Sequence, residues 1–169
     1  MKTLWNDNWQ FVKCPVDTTF EQAMEQKQDM KDISIPHDWL IYDSYNLYED
    51  STGWYRKEFT WQEEDGDMLI TFDGVYMDCT IYVNQKEAGQ WKYGYSSFTL
   101  NVTELLEEGT NEIVVGVCHK GPNSRWYSGA GIYRNVWMRL VKDLYIEENG
   151  LYVHTEAVDN GYLLSVETN

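Results

Sequence analysis

Two stretches of this sequence concentrate side chains able to hold a small polar ligand. The first begins at Ile35-Pro36-His37-Asp38-Trp39 and runs through Tyr42, Tyr45, Asn46 and Tyr48 to Gly53-Trp54-Tyr55-Arg56. The second is Asn123-Ser124-Arg125-Trp126-Tyr127-Ser128-Gly129-Ala130-Gly131-Ile132-Tyr133-Arg134. Both mix Trp and Tyr with Arg, Asn or Asp. Aromatic faces stack on the C–H faces of a pyranose, and planar amide or guanidinium groups make paired hydrogen bonds to adjacent hydroxyls. Saccharide binding is the chemistry these residue types suit. The competing reading is that the rings plug the end of a β-sandwich and the arginines form internal ion pairs. Composition alone does not separate the two.

Other chemistries find little support. His37, His119 and His154 lack the His-x-His or Cys-x-x-Cys spacing of a tight metal site, so no metal is expected. Gly129-Ala130-Gly131 precedes a strand, the wrong context for a phosphate-cradling loop, and no cofactor is expected. The acidic clusters Glu63-Glu64-Asp65, Glu107-Glu108 and Glu147-Glu148 flank turns and read as solvated rather than catalytic. With 28 acidic against 13 basic residues the net charge is -15, which rules against a nucleic-acid partner and disfavours an anionic membrane surface. No run reaches the roughly 18 to 20 apolar residues of a membrane span, and Met1 leads into no apolar signal segment. A cytoplasmic setting is the expectation. It fits three widely spaced cysteines, Cys14, Cys79 and Cys118, of which two lie in apolar strand-like runs where a reduced core thiol is the simplest reading. The triplet Asn101-Val102-Thr103 is a glycosylation sequon only if a secretory route exists.

The elements that must position the two loops read as strands. Period-2 alternation runs through Trp54 to Trp61, Met68 to Phe72, Cys79 to Val83, Phe98 to Val102, Ile113 to Val117 and Ile132 to Val141. Asp73-Gly74 and the polar run from Asn84 to Glu87 supply turns between them. Thr103 is expected to cap one helical turn over Glu104 to Glu107. The only longer helix candidate is Thr19 to about Gln28, with a capping box from Thr18 and Glu21 or from Thr19 and Gln22, and an apolar Phe20/Met24 pair. It is mostly polar and should pack on the outside. Short strands with turns at regular spacing predict an all-β fold, an antiparallel jelly-roll β-sandwich. Beyond Lys142, three further short strands are expected at Asp143 to Ile146, Gly150 to Thr155 and Tyr162 to Glu167, with hairpin signals at Asn149-Gly150 and Asn160-Gly161.

Several motifs in order carry a family resemblance. They are Pro36-His37-Asp38-Trp39, Gly53-Trp54-Tyr55-Arg56-Lys57, Phe72-Asp73-Gly74-Val75, Ile81-Tyr82-Val83-Asn84 with Gly89, Gly94-Tyr95 with Phe98, and Ser124 through Val136. Over roughly residues 4 to 142 the chain resembles the N-terminal sugar-binding domain of glycoside hydrolase family 2, the β-galactosidase and β-glucuronidase family. The resemblance implies a jelly-roll domain over 1–142, followed by an immunoglobulin-like β domain and a TIM barrel, with 143–169 as the first strands of the immunoglobulin-like domain. It implies that the acid and nucleophile are glutamates of the barrel, so that this chain has no catalytic residue of its own. A (β/α)₈ barrel takes about 250 residues, and 169 already used as strands cannot build one.

The resemblance further implies that loops of this domain reach the rim of the barrel's pocket and touch a β-linked saccharide. Arg125, Trp126 and Tyr127 are the candidate substrate-binding residues, with Asp38 or Asn46 supplying a carboxylate or amide. Arg125 stands where well-known members carry an acidic sugar ligand, which departs from the pattern for galactose. Partners implied are the chain's own downstream immunoglobulin-like and TIM-barrel domains, with a homo-oligomer possible in the full-length enzyme. A freestanding carbohydrate-binding module or lectin, and a purely structural domain, are the alternatives.

Overall fold

The structure is a computed structural model and describes residues 2–124, 126–142 and 144–168. Its strands are β1 (Lys2–Leu4), β2 (Trp9–Pro15), β3 (Lys31–Ile33), β4 (Ser51–Trp61), β5 (Asp67–Phe72), β6 (Cys79–Val83), β7 (Lys86–Trp91), β8 (Phe98–Asn101), β9 (Gly109–His119), β10 (Val136–Val141), β11 (Leu151–Val158) and β12 (Gly161–Thr168), and one short helix, α1, spans Phe20–Glu25. A four-stranded sheet runs β1-β10-β5-β8 and a six-stranded sheet β3-β2-β4-β9-β6-β7, antiparallel at every pairing. Together they make the expected jelly-roll β-sandwich.

Alternation decides which side chains fill the space between the sheets. From β9, Ile113, Val115 and Val117 point inward, and each is fully buried. Opposite them in register, Tyr55 pairs with Val115 and lies in the same cluster as Ile70, Phe72, Ile81 and Val83. Burying each such side chain contributes about 1.5–3 kcal/mol. The aromatic surplus of the sequence is largely here: Trp5, Trp9, Trp39, Tyr55, Trp61, Phe72 and Phe98 all belong to this core.

The outer face of the six-stranded sheet has a second apolar cluster, in which Cys14, Trp54 and Val114 lie under Ala23 of α1. The helix starts where the capping-box signal puts it. Gln22 N donates to Thr19 Oγ1 and Thr19 N donates to Gln22 Oε1. The Trp54 ring lies across Gly116, where a Cβ would stand 2.7 Å from the ring. That covered outer face explains why β4 is buried along most of its length rather than on one side only.

Several expectations need correction. Three N-terminal strands, β1, β2 and β3, carried no clear alternation signal, yet β2 is interior to the large sheet, paired with both β3 and β4. Thr103 does not cap the following turn. Its hydroxyl accepts from Met68 N and donates to Asn101 Oδ1, while Val102 takes the cap position of a 3₁₀ turn, Thr103–Leu105. The long strand foreseen from Ile132 is regular only from Val136, because the backbone of residues 130–132 bonds elsewhere. His37 N donates to Ile132 O, Trp39 N donates to Ala130 O, and Gly131 exchanges two bonds with Tyr76. Of the three late strands only the last two form. They pair as a hairpin, while residues 144–146 lie outside any strand and Asp143 falls outside the described residues.

Candidate functional site

The Pro36-to-Trp39 segment and the Trp126-to-Ala130 loop meet at one end of the sandwich, and one carboxylate joins them. Asp38 Oδ1 accepts from the backbone N–H of Leu40 at 3.0 Å and of Ala130 at 3.1 Å. Asp38 Oδ2 accepts from the Tyr127 hydroxyl at 2.8 Å. Gly129 passes so close that a Cβ there would lie 2.5 Å from Oδ2, and its φ of +75° belongs to the left-handed region that favours glycine. Burial, the bond to Asp38 and the negative charge of Asp38 together push the Tyr127 phenol well above its ordinary value.

Neighbouring side chains give this junction a rigid floor. Trp39 is buried and its indole N–H donates to Ser51 Oγ at 3.0 Å. His37 is buried between Phe11 and Tyr42, and its Nδ1 lies 2.9 Å from the Tyr55 hydroxyl. Burial lowers the His37 pKa, opposed only in part by Asp38. The histidine is thus a neutral packing element of the junction.

Around the floor the rings turn outward. Trp126 is 61% exposed, with its indole N–H 3.3 Å from the Tyr95 hydroxyl. Tyr95 stands edge-on to Tyr93 and to Tyr76, and Tyr48 edge-on to Tyr127 at 6.5 Å. Tyr42, Tyr45, Tyr48, Tyr93 and Tyr95 are all exposed. Apart from Tyr145, Tyr152 and Tyr162 of the C-terminal segment, the exposed tyrosines and tryptophan of the described residues gather at this end. Beside it, Tyr48, Asp50, His119, Pro122, Asn123 and Ser124 line a depression of about 320 Å³.

The sequence candidates are therefore not equivalent. Trp126 and Tyr127 sit together on this rim. Asp38 sits beneath them with both oxygens engaged inside the protein. Asn46 is exposed on the loop that carries Tyr48, and its amide donates to Glu49 Oε2 at 2.6 Å. Arg125 falls outside the described residues. Tyr93 and Tyr95 were not among the candidates, although two tyrosines flanking Gly94 in a polar turn are the signal that points to them.

The carboxylates at this end are engaged within the domain. A retaining glycosidase needs two carboxyl groups about 5–5.5 Å apart, one of them holding its proton. Here Asp38 is spent on internal bonds, Asp50 accepts from Gly121 N, and Glu49 pairs with Lys13. Among the described residues no group of three or more His, Cys, Asp or Glu side chains could hold a metal ion.

Comparison with known proteins agrees with this geometry. Residues 41–142 match the sugar-binding domain of glycosyl hydrolases family 2, and the chain belongs to that family. A β-galactosidase from Bacteroides ovatus is 37% identical over 145 residues, which is 78% of this chain and 17% of the relative. The crystal structure of a family 2 glycosyl hydrolase from Bacteroides cellulosilyticus superposes with a TM-score of 0.80 at 31% identity, over 92% of this chain and 23% of that one. A calcium-binding mutant of β-glucuronidase 2 from Bacteroides uniformis gives 0.78 at 26% identity, over 99% and 22%. The chain thus spans about a fifth of the length of the proteins it resembles.

Proposed function

We propose that this chain is the non-catalytic sugar-binding domain of a β-galactosidase-like family 2 glycoside hydrolase, whose aromatic end supplies one wall of a pocket completed by a TIM barrel. The observation that carries the reading is the rim itself. Trp126 and Tyr127 face solvent above a buried junction whose carboxylate, Asp38, is engaged by Leu40, Ala130 and Tyr127. The ligand class follows from the rings, which suit the C–H faces of a β-linked sugar. Relatives named β-galactosidase and β-glucuronidase both match, so the identity of that sugar stays at the class level.

The terminal hairpin supports a second β domain beginning near residue 143. Leu151, Val153 and Ala157 of β11 lie on the same face as Val166, Leu164 and Tyr162 of β12, all exposed. The opposite face mixes His154, Glu156, Ser165 and Glu167 with the exposed apolar side chains of Tyr152, Val158 and Leu163. A two-stranded hairpin with this much exposed apolar surface needs partner strands to bury it. An immunoglobulin-like sandwich built onto β11 and β12 would provide it. A cytoplasmic setting is our working assignment, in keeping with three free thiols.

The chain alone, incubated with nitrophenyl β-galactoside and β-glucuronide, should show no turnover. Its affinity for monosaccharides should be millimolar or weaker, since one wall of a pocket supplies little more than about 4 kcal/mol. Turnover that survives repurification and vanishes on mutating a carboxylate of this chain would overturn the proposal. Micromolar affinity by calorimetry would favour a freestanding carbohydrate-binding module instead.

A further inference from the structure

We propose that Asp38 is a positioning residue for the sugar rim, and that it holds the Trp126–Tyr127 loop in place without touching the sugar itself. The inference rests on reading this end of the sandwich as the rim of a sugar pocket. A carboxylate has about four lone-pair sites. Three of those of Asp38 are used inside the domain, by Leu40 N, Ala130 N and the Tyr127 hydroxyl. The bond from Leu40 N is local, whereas those from Ala130 N and the Tyr127 hydroxyl join segments 92 and 89 residues apart in sequence, and Trp39 N donating to Ala130 O adds a parallel tie. With its only O–H committed to Asp38, Tyr127 has no proton left to donate to a ligand. It offers the sugar a ring face rather than a donated hydrogen bond.

The remaining approach to Asp38 is narrowed by the loop above it. Gly129 lies against Oδ2, Ala130 is fully buried, and Asp38 itself is half-buried beneath the loop. Recognition at this rim is therefore by stacking on Trp126 and Tyr127, with orientation fixed from below by one anion. The loop is further tied across its base, where the hydroxyls of Ser124 and Ser128 lie 2.6 Å apart. A ring that is pre-oriented loses less freedom when the sugar arrives, so loosening the bolt weakens binding without altering the chemistry step.

The test is made in the enzyme that carries this domain with its barrel, using nitrophenyl β-galactoside, with Asp38→Ala, Asp38→Asn, Trp126→Ala and Tyr127→Leu compared. Asparagine keeps an oxygen for the two backbone N–H groups, and its amide can donate to a rotated Tyr127 hydroxyl. The expected result is KM raised about tenfold by Asp38→Ala with kcat nearly unchanged, and KM within about threefold of the parent for Asp38→Asn. Trp126→Ala and Tyr127→Leu should raise KM as Asp38→Ala does. In the isolated chain, the ¹H–¹⁵N spectrum should show the Trp126 indole and Ala130 amide signals displaced by Asp38→Ala and kept by Asp38→Asn. An equal rise in KM for Asp38→Asn and Asp38→Ala, with the loop signals of Asp38→Asn unmoved, would make Asp38 a direct sugar ligand and overturn the inference. So would an unchanged KM for Asp38→Ala when Trp126→Ala raises it. If Trp126→Ala and Tyr127→Leu both leave KM unchanged, it is the rim reading itself that fails.

Discussion

Replacing Gly129 by alanine probes the junction beneath the rim, and Gly109 offers an internal control. Both glycines have a positive φ, +75° and +96°, so alanine at either pays the left-handed penalty of about 1–2 kcal/mol. They differ in what a methyl group would meet. At Gly109 there is nothing within 4 Å. At Gly129 the Cβ would lie 2.5 Å from Asp38 Oδ2 and 3.2 Å from its Cγ. Asp38 cannot retreat without lengthening its bonds to Leu40, Ala130 and Tyr127. Overpacking of this kind costs about a further 1–3 kcal/mol. Gly129→Ala should therefore destabilise the domain by about 2–5 kcal/mol against about 1–2 for Gly109→Ala. At about 2–4 °C per kcal/mol, the two melting temperatures should differ by about 2–12 °C. Far-UV circular dichroism gives the melts, and near-UV dichroism reports whether the aromatic end loosens first. If Gly129→Ala melts at or above Gly109→Ala, the carboxylate does not hold the loop as described.

Other outcomes follow from the packing and the charges. Gly116→Ala should cost about 1–3 kcal/mol in urea unfolding, because its Cβ would press on three ring atoms of Trp54, which is 4% exposed and cannot yield; parent-like stability would contradict that packing. Burial alone would raise the Glu112 pKa, but hydrogen bonds from Lys27 and Arg56 and their charges outweigh it and hold the carboxyl below its ordinary 4.5. A folded-state pKa below the unfolded one stabilises the domain above pH 4.5 and is lost as pH falls through the lower folded value. Stability measured from pH 6 to pH 3 should fall more steeply for the parent than for Glu112→Gln, and parallel curves would refute the linkage. The Cys79 thiol is buried and pushed up to about 12, so iodoacetamide at pH 8 should label it only on unfolding; half-buried Cys118 should label first.

Much of the sandwich could be read from the sequence because one face of each strand is buried and the other is not. Ile113, Val115 and Val117 show this plainly, as do Cys79, Ile81 and Val83. The signal failed where both faces are covered or where a strand is very short. In β2, Trp9 faces the main core while Cys14 packs under α1, so large and small apolar residues occur on both sides of the strand. The start of β10 was misjudged for a different reason. Its β-like residues 130–132 give their backbone bonds to the His37–Trp39 segment, a long-range choice no local pattern records. At the site, residue type singled out Trp126 and Tyr127 as candidate substrate-binding residues, and the structure places both side chains on an exposed loop. It could not tell that Asp38 is consumed internally, because a carboxylate that binds a ligand and one that caps backbone N–H groups look alike in sequence.

The central claim is that this end of the domain contacts sugar and does no chemistry, and the steady-state kinetics of Trp126→Ala in the enzyme carrying the domain test it most directly. Trp126 is 61% exposed and makes one long hydrogen bond, so its loss should leave the melting temperature nearly unchanged. Loss of a stacking face worth about 1.4 kcal/mol should lower kcat/KM for nitrophenyl β-galactoside about tenfold, through KM. Parent-like kcat/KM in a fully folded Trp126→Ala enzyme would contradict the account.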